Sequence, residues 1–128
     1  MIRRPFFALL LTAASAAIPC AAAQAACTEP GSRVQLASDA VDPDVFLWDS
    51  RERLVGYAAG QWGSTKQIFA HTLLAMPGTM AVVVSCVSSV AHPRYSAVDE
   101  DAVGVKVLTG RYRGRYGWVL SSDVHLVR

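Results

Sequence analysis

The densest group of chemically useful side chains is a basic and aromatic segment near the carboxyl end of the chain. In residues 111–116, three arginines alternate with two tyrosines around one glycine. Such a set can bind phosphate, carboxylate or sugar rings, because guanidinium groups pair with anions and stack on aromatic faces. The alternative interpretation is that these residues form an exposed turn, in which the arginines serve only to keep the turn soluble. The predicted ligand-binding residues here are Arg111, Tyr112, Arg113, Arg115 and Tyr116.

Two tryptophans extend this predicted binding surface. Trp118 follows the basic segment closely, and Trp62 lies in a stretch of small residues without core periodicity. Exposed aromatic side chains are common at peptide-binding and glycan-binding surfaces. Packing in the core explains Trp118 at least as well, so its role as a ligand contact is a hypothesis.

The histidines do not form a recognisable metal or catalytic motif. His71, His92 and His125 fall in different predicted elements, without the short spacing of zinc ligands. No Gly-x-Ser-x-Gly elbow, phosphate-binding glycine loop or paired-carboxylate motif is present. We therefore predict no metal, no cofactor and no enzymatic activity. A hydrolase using His71 or His92 with an acidic partner is a third, weaker alternative.

The elements that would position the basic segment are strands joined by a glycine-bounded turn. Val103, Val105 and Val107 share one face of a strand that we predict to be half buried. Gly110 and Gly114 can supply the positive-φ corners of a hairpin turn. Residues 116–120 then form the partner strand, in which Gly117 marks a point with no room for a side chain. A short final strand follows at residues 124–127.

The rest of the chain also predicts strands. Residues 80–90 contain five valines and are the clearest buried strand. Residues 33–38 and 45–48 are shorter strand candidates, and residues 54–57 a weak one. For residues 67–74 we prefer a strand over a short helix, and residues 49–66 and 91–101 are predicted as elaborated loops. The predicted fold class is all-β.

Residues 105–124, VKVLTGRYRGRYGWVLSSDV, resemble the end of a bacterial SH3-like barrel of the kind found in exported proteins. The first half is also similar to KOW segments, which belong to the same small-barrel architecture. The resemblance implies a small SH3-like barrel in which a 3₁₀ turn and a closing strand follow Gly-Trp-Val. Leu120 and Asp123 stand where peptide-binding SH3 domains carry Pro and Tyr, so a polyproline ligand is not predicted.

The amino-terminal residues 1–25 are typical of an export signal. Arg3 and Arg4 precede an apolar stretch at residues 6–18, and Ala-Gln-Ala at residues 23–25 fits a cleavage site. We therefore predict a periplasmic or secreted protein whose residues 26–128 form a single SH3-like barrel domain. The alternative is a barrel that begins near Pro77 and carries a separate amino-terminal strand layer.

Charge restricts the choice of partner. The net charge of +2 comes from Arg3 and Arg4, so the remaining chain is near neutral. From Gly104 onward there are five Lys/Arg against one Asp/Glu, whereas residues 27–103 have five against nine. An exported chain with this balance is a poor candidate for binding nucleic acid.

Two cysteines remain after removal of the signal. Cys27 and Cys86 are predicted to form a disulfide, because exported proteins meet an oxidising compartment. A closed loop of roughly 60 residues would contribute about 4 kcal/mol to stability at most. Two buried free thiols are the competing interpretation.

These observations support two hypotheses of different classes. The first is a non-enzymatic binding module that contacts peptidoglycan, another cell-wall glycan or peptide, or an envelope protein through the basic and aromatic segment. The second is a small periplasmic inhibitor or immunity protein that blocks an enzyme. Under both hypotheses the protein is predicted not to span a membrane, and neither predicts an oligomeric state.

Overall fold

The computed structural model describes residues 27–128, which form a sheet-rich fold with two short helices. The predicted signal peptide, residues 1–25, lies outside the described residues. A 3₁₀ turn, Ser121–Asp123, precedes the last strand. The other elements are β1 (Arg33–Leu36), β2 (Val45–Trp48), α1 (Arg51–Ala58), α2 (Thr65–Ala70), β3 (Thr72–Ala75), β4 (Thr79–Ala91), β5 (Glu100–Val107), β6 (Tyr116–Leu120) and β7 (Val124–Leu126).

All seven strands belong to one antiparallel sheet in the order β3-β2-β6-β5-β4-β1-β7. Leu47 in β2 and Val34 in β1 share a buried cluster although three strands lie between β2 and β1. The sheet therefore curls around its own side chains into a half-barrel. This architecture confirms the all-β prediction.

Strand β4 provides much of the curl. It is 13 residues long, and its pairing with β5 shifts register between Val83 and Ser85 and again between Val87 and Ala91. Ser89, with a φ of 52°, is the one non-glycine residue of positive φ in the described part of the chain. Its backbone N–H donates to Asp101 Oδ1 at 2.9 Å. Such irregularities bend a strand and increase its twist, so β4 can pair with β1 and β5 along a curved path.

The inner face of the curl forms the main hydrophobic core. Every strand from β1 to β6 contributes aliphatic side chains to it, because alternate residues point inward. The residues of the inner core are Val34, Leu36, Val45, Leu47, Ala75, Ala81, Val83, Val103, Val105, Val107 and Val119.

A second cluster covers part of the outer face. Its buried members are Trp48, Leu54 and Ala102, and half-buried aromatic residues surround them. Because both faces of β5 are covered, Ala102 and Gly104 are as buried as the inward-pointing valines. The prediction that β5 is half buried is therefore wrong for residues 102–105.

Residues 54–57 are helical, so the weak strand predicted there is wrong. Helix α1 begins after Ser50, whose hydroxyl accepts a hydrogen bond from the Arg53 N–H at 3.2 Å. Leu54 and Tyr57 are three residues apart on one helical face and both pack in the outer cluster. The predicted loop at residues 49–66 therefore contains a helix that covers the sheet.

The strand predicted at residues 67–74 is correct only for its last three residues. Ser64 caps α2 by accepting a hydrogen bond from the Gln67 N–H at 3.3 Å, and this helix occupies the first part of the segment. Residues 72–75 then pair with β2 as the edge strand β3. The predicted loop at residues 91–101 ends early, because β5 begins at Glu100.

The predicted disulfide is present. Cys27 and Cys86 are bonded, with their Cα atoms 5.9 Å apart, and the bond ties the segment before β1 to the middle of β4. The two glycine corners are also confirmed, since Gly110 has a φ of 81° and Gly114 a φ of 86°. Among the described residues, neither helix has the length and hydrophobicity that crossing a membrane requires.

Candidate ligand-binding site

A small cavity on the outer face of the sheet brings several of the predicted residues together. It has a volume of about 200 Å³ and lies over β4, β5 and β6. Ser85, Gly104, Tyr116 and Trp118 line it from the strands, and Asp49 lines it from the segment after β2. We call this cavity the outer-face site.

Gly104 provides the floor of the outer-face site. It pairs with Ser85 on one side and with Trp118 on the other, so all three positions face outward. A Cβ atom at position 104 would stand 2.5 Å from Ser85 Oγ and 3.4 Å from the Trp118 ring. The absence of a side chain therefore lets the indole and the hydroxyl lie over β5.

The aromatic wall of the site is only partly covered. Trp118 is half-buried and packs against the outer cluster, whereas Tyr116 is 63% exposed. Lys106, which pairs with Tyr116 across β5 and β6, holds its Nζ 5.8 Å from the centre of the tyrosine ring. Two aromatic side chains thus form an open strip with a cation at its end.

Asp49 carries the negative charge at the edge of the site. Its Oδ2 lies 2.8 Å from His71 Nδ1, and its Oδ1 accepts from Arg53 Nη1 at 3.2 Å. Burial disfavours the ionised carboxyl, but the hydrogen bonds from His71 and Arg53 and their charges outweigh it and hold the pKa of Asp49 below its ordinary value. Asp49 is therefore a carboxylate at neutral pH.

Trp62 joins this group indirectly. Its ring centre lies 5.6 Å from that of His71 in a T-shaped arrangement and 5.3 Å from that of Trp48. Gly56 in α1 makes room for it, because a Cβ at that position would stand 3.1 Å from Trp62 Nε1. Trp62 is half-buried, so it supports His71 and offers only part of its surface to a ligand.

The basic turn, defined as residues 110–115, projects beyond the strands that line the outer-face site. Arg111, Arg113 and Arg115 are exposed, and none lies within 4.0 Å of a carboxylate in residues 27–128. The backbone hydrogen bond from Gly114 to Val107, at 2.8 Å, closes the turn at the end of the β5–β6 pair. The three guanidinium groups are thus presented to solvent.

Tyr112 differs from the other residues of the basic turn. It is half-buried and packs against the inner core, with Arg111 Cζ 5.6 Å from the centre of its ring. Together with Arg111 it lines a separate cavity of about 170 Å³ next to Leu74 and Met76. The structure therefore separates Tyr112 from Tyr116 and Trp118.

Sequence reasoning missed Asp49, Arg53 and Ser85 as site residues. Asp49 and His71 are 22 residues apart, and only the pairing of β2 with β3 brings them together. No spacing rule detects such a pair. Ser85 meets Gly104 only through the register of β4 against β5, which the sequence does not specify.

One group of potential metal ligands occurs within residues 27–128. It consists of Cys27, Cys86 and Asp101, whose ligand atoms lie within 4.8 Å of one another. Because the two sulfurs are joined in the disulfide, they provide no thiolate for a metal. His92 lies instead beside Asp99, with its Nδ1 at 2.7 Å from the carboxylate.

Comparison with known proteins adds no family to these observations. A scan against protein-family models, a search of curated proteins and a search of solved structures each found no match to this chain. Function is therefore argued from the geometry of the site.

Proposed function

We propose that this protein is an exported, non-enzymatic binding module that contacts a cell-wall glycan or peptide, or an envelope protein. The contact surface consists of the outer-face site and the basic turn. One observation carries the proposal: Tyr116 is 63% exposed beside the half-buried Trp118, in a cavity with a carboxylate at its edge. Exposed aromatic residues of this kind concentrate binding energy at recognition surfaces.

The chemistry of the surface favours a ligand with both apolar and polar faces. The strip of Tyr116 and Trp118 suits stacking against a sugar ring or a peptide side chain. Asp49 and Ser85 can hydrogen-bond hydroxyl or amide groups at the same place. Lys106 and the arginines of the basic turn would attract the carboxylates of wall peptides or of an acidic protein surface.

Membership of the bacterial SH3-like class is part of this proposal. The order of β6 with Gly117-Trp118-Val119, a 3₁₀ turn and a closing strand agrees with the pattern that the resemblance implies. Export is likewise proposed, on the signal-like residues 1–25 and on a disulfide that requires an oxidising compartment.

The test is retention of the oxidised protein on two materials: purified peptidoglycan, and solubilised envelope proteins coupled to a resin. The test variant combines Arg113→Glu with Tyr116→Ala, both exposed positions. A matched control exists in the loop after β4, where Arg94 Cζ lies 5.6 Å from the ring of Tyr95, which is 93% exposed. The control variant therefore combines Arg94→Glu with Tyr95→Ala.

We expect the wild type and the control to be retained on one of the two materials, and the test variant to lose at least 90% of that retention. The thermal midpoints of all three should agree within a few degrees. Equal retention of test and control variants on both materials would refute the proposed surface. Capture of an envelope hydrolase together with loss of its activity would favour the inhibitor hypothesis instead.

The Asp49–His71 pair favours a hydrolase as a second candidate. A histidine oriented by a carboxylate is a common general base, and the carboxylate that holds His71, Asp49, lines a cavity together with Ser85. The replacement of His71 by Gln distinguishes the candidates. It should leave retention on envelope material unchanged if the protein only binds, and it should abolish turnover of that material if the protein is an enzyme.

A further inference from the structure

A second cavity large enough to hold a ligand lies apart from the outer-face site. It has a volume of about 390 Å³ and lies among the segment before β2, helix α1 and the 3₁₀ turn. Phe46, Tyr57, Leu74 and Leu120 contribute its apolar walls. A space of this size and lining accommodates a side chain or a small organic molecule.

The aromatic walls are held in fixed orientations. The rings of Phe46 and Tyr57 meet edge to face, with their centres 6.0 Å apart. The centres of the Tyr57 and Trp48 rings are 5.0 Å apart. Phe46 and Tyr57 are half-buried, so each keeps part of its ring available to the cavity. Aromatic faces with this exposure attract cations, guanidinium groups in particular.

Three carboxylates also line the cavity, from Asp42, Asp44 and Asp123. The ion pairs found within residues 27–128 involve other acidic residues, so no Lys or Arg side chain neutralises these three. Burial, followed by the charges of Glu100 and Asp39, raises the pKa of Asp123 to about 6. His125 and a hydrogen bond with Ser38 oppose that increase without cancelling it. Negative charge therefore accumulates beside apolar walls.

The spacing of the carboxylates distinguishes between two kinds of cation. Oxygen atoms that bind one metal ion must converge, but Asp42, Asp44 and Asp123 do not form a group within 4.8 Å. A planar organic cation is larger and can reach separated carboxylates while its stem packs on apolar walls. The cavity therefore suits an organic cation better than an inorganic one.

We propose that this cavity binds the side chain of an arginine presented by a partner peptide. The guanidinium group stacks on Tyr57 or Phe46 and pairs with the carboxylates, and its methylene stem lies against Leu74 and Leu120. The site is separate from the outer-face site, so the two proposals stand or fall independently.

The test is a titration of the oxidised protein at pH 7.5 with N-acetyl-arginine methylamide, followed by NMR chemical shifts. N-acetyl-citrulline methylamide, which has nearly the same shape without the charge, is the matched probe. We expect saturable shifts centred on Phe46, Tyr57 and Leu120 with the arginine probe, and at least ten-fold weaker binding of the citrulline probe.

Substitutions inside and outside the cavity test whether the arginine probe binds there. Asp44→Asn and Asp123→Asn should each weaken the arginine probe at least five-fold, while Asp99→Asn, outside the cavity, and Tyr116→Ala, in the outer-face site, should leave it unchanged. Two substitutions in the cavity are used so that a folding defect in one does not decide the result. Absence of saturable shifts with the arginine probe, equal binding of the citrulline probe, or an equal loss in Asp99→Asn would overturn the proposal.

Discussion

The Asp49 carboxylate and the His71 imidazole lie 2.8 Å apart, although 22 residues separate them in the chain. Their backbones are joined as well, since the Asp49 N–H donates to the His71 carbonyl at 3.0 Å. Between these two residues the chain forms α1 and α2 and returns to pair β3 with β2. The pair therefore closes the helical excursion that covers the outer face and places a carboxylate beside the outer-face site.

Replacing Asp49 with Asn should lower stability in a pH-dependent way. The folded pKa of Asp49 lies below the ordinary value of 3.8, so its contribution is present above that pH and is lost as the pH falls through the folded pKa. Because the residue is exposed, we expect a loss within about 1 kcal/mol at pH 6. Thermal unfolding measured at pH values from 2 to 6 should show the midpoints of the wild type and of Asp49→Asn converging at the acid end. A difference that is unchanged at pH 2 would contradict this account.

Replacing Asp123 with Asn should have the opposite effect, because it should raise the stability of the protein at neutral pH. Its folded pKa of about 6 lies above the ordinary 3.8, so the folded protein binds the proton more tightly. Stability therefore decreases as the pH rises from about 4 to 6 and stays low above that range. The variant should unfold at a temperature higher by on the order of 5 °C at pH 7.5 and show no gain at pH 4. Glu29→Gln, which removes a carboxylate at an exposed position, is the control and should not raise the unfolding temperature at pH 7.5 by a comparable amount.

Gly117 is required by close packing against β2. A Cβ at this position would stand 2.8 Å from Leu47 Cβ and 3.4 Å from its Cα, and a backbone atom cannot move aside cheaply. Gly117→Ala should therefore lower the free energy of unfolding by about 1–3 kcal/mol. Gly63, which has open space around it, is the matched control, and Gly63→Ala should change stability by less than about 0.5 kcal/mol. Urea titrations of both variants make the comparison, and equal effects would disprove the packing argument.

The disulfide should contribute a large share of the stability. Cys27 and Cys86 are separated by 59 residues, and the loop they close is long enough to restrict the unfolded chain strongly. Replacing both with Ser should lower the free energy of unfolding by about 2–5 kcal/mol. Reductant should destabilise the wild type by a similar amount and leave the double variant unaffected. A wild type whose urea midpoint does not move on reduction would show that the bond is dispensable.

Local chemistry was sufficient to predict much of the half-barrel. The valine-rich strand β4, the glycine corners at Gly110 and Gly114 and the pairing of Cys27 with Cys86 all depend on side-chain types or on short spacings. The missing side chain at Gly117 could be anticipated in the same way, because a glycine inside a strand often marks a close approach. None of these features needs knowledge of which strands are neighbours.

Other features depended on partners distant in sequence. Residues 54–57 are apolar enough for a strand, but the Ser50 cap and the outer face of the sheet make them helical. The side chains that cover the outer face of the sheet also bury Ala102 and Gly104, which lie on the side of β5 predicted to be exposed to solvent. Tertiary packing overrode local preference in both cases.

The sequence by itself therefore determined the strand-rich class, the disulfide and the residues of the basic turn. Only the tertiary structure decided that Tyr116 and Trp118 lie with Asp49 while Tyr112 packs elsewhere, and that Asp42, Asp44 and Asp123 line one cavity. The physical reason is that a strand fixes which face a side chain occupies, whereas strand order and register fix what it meets there.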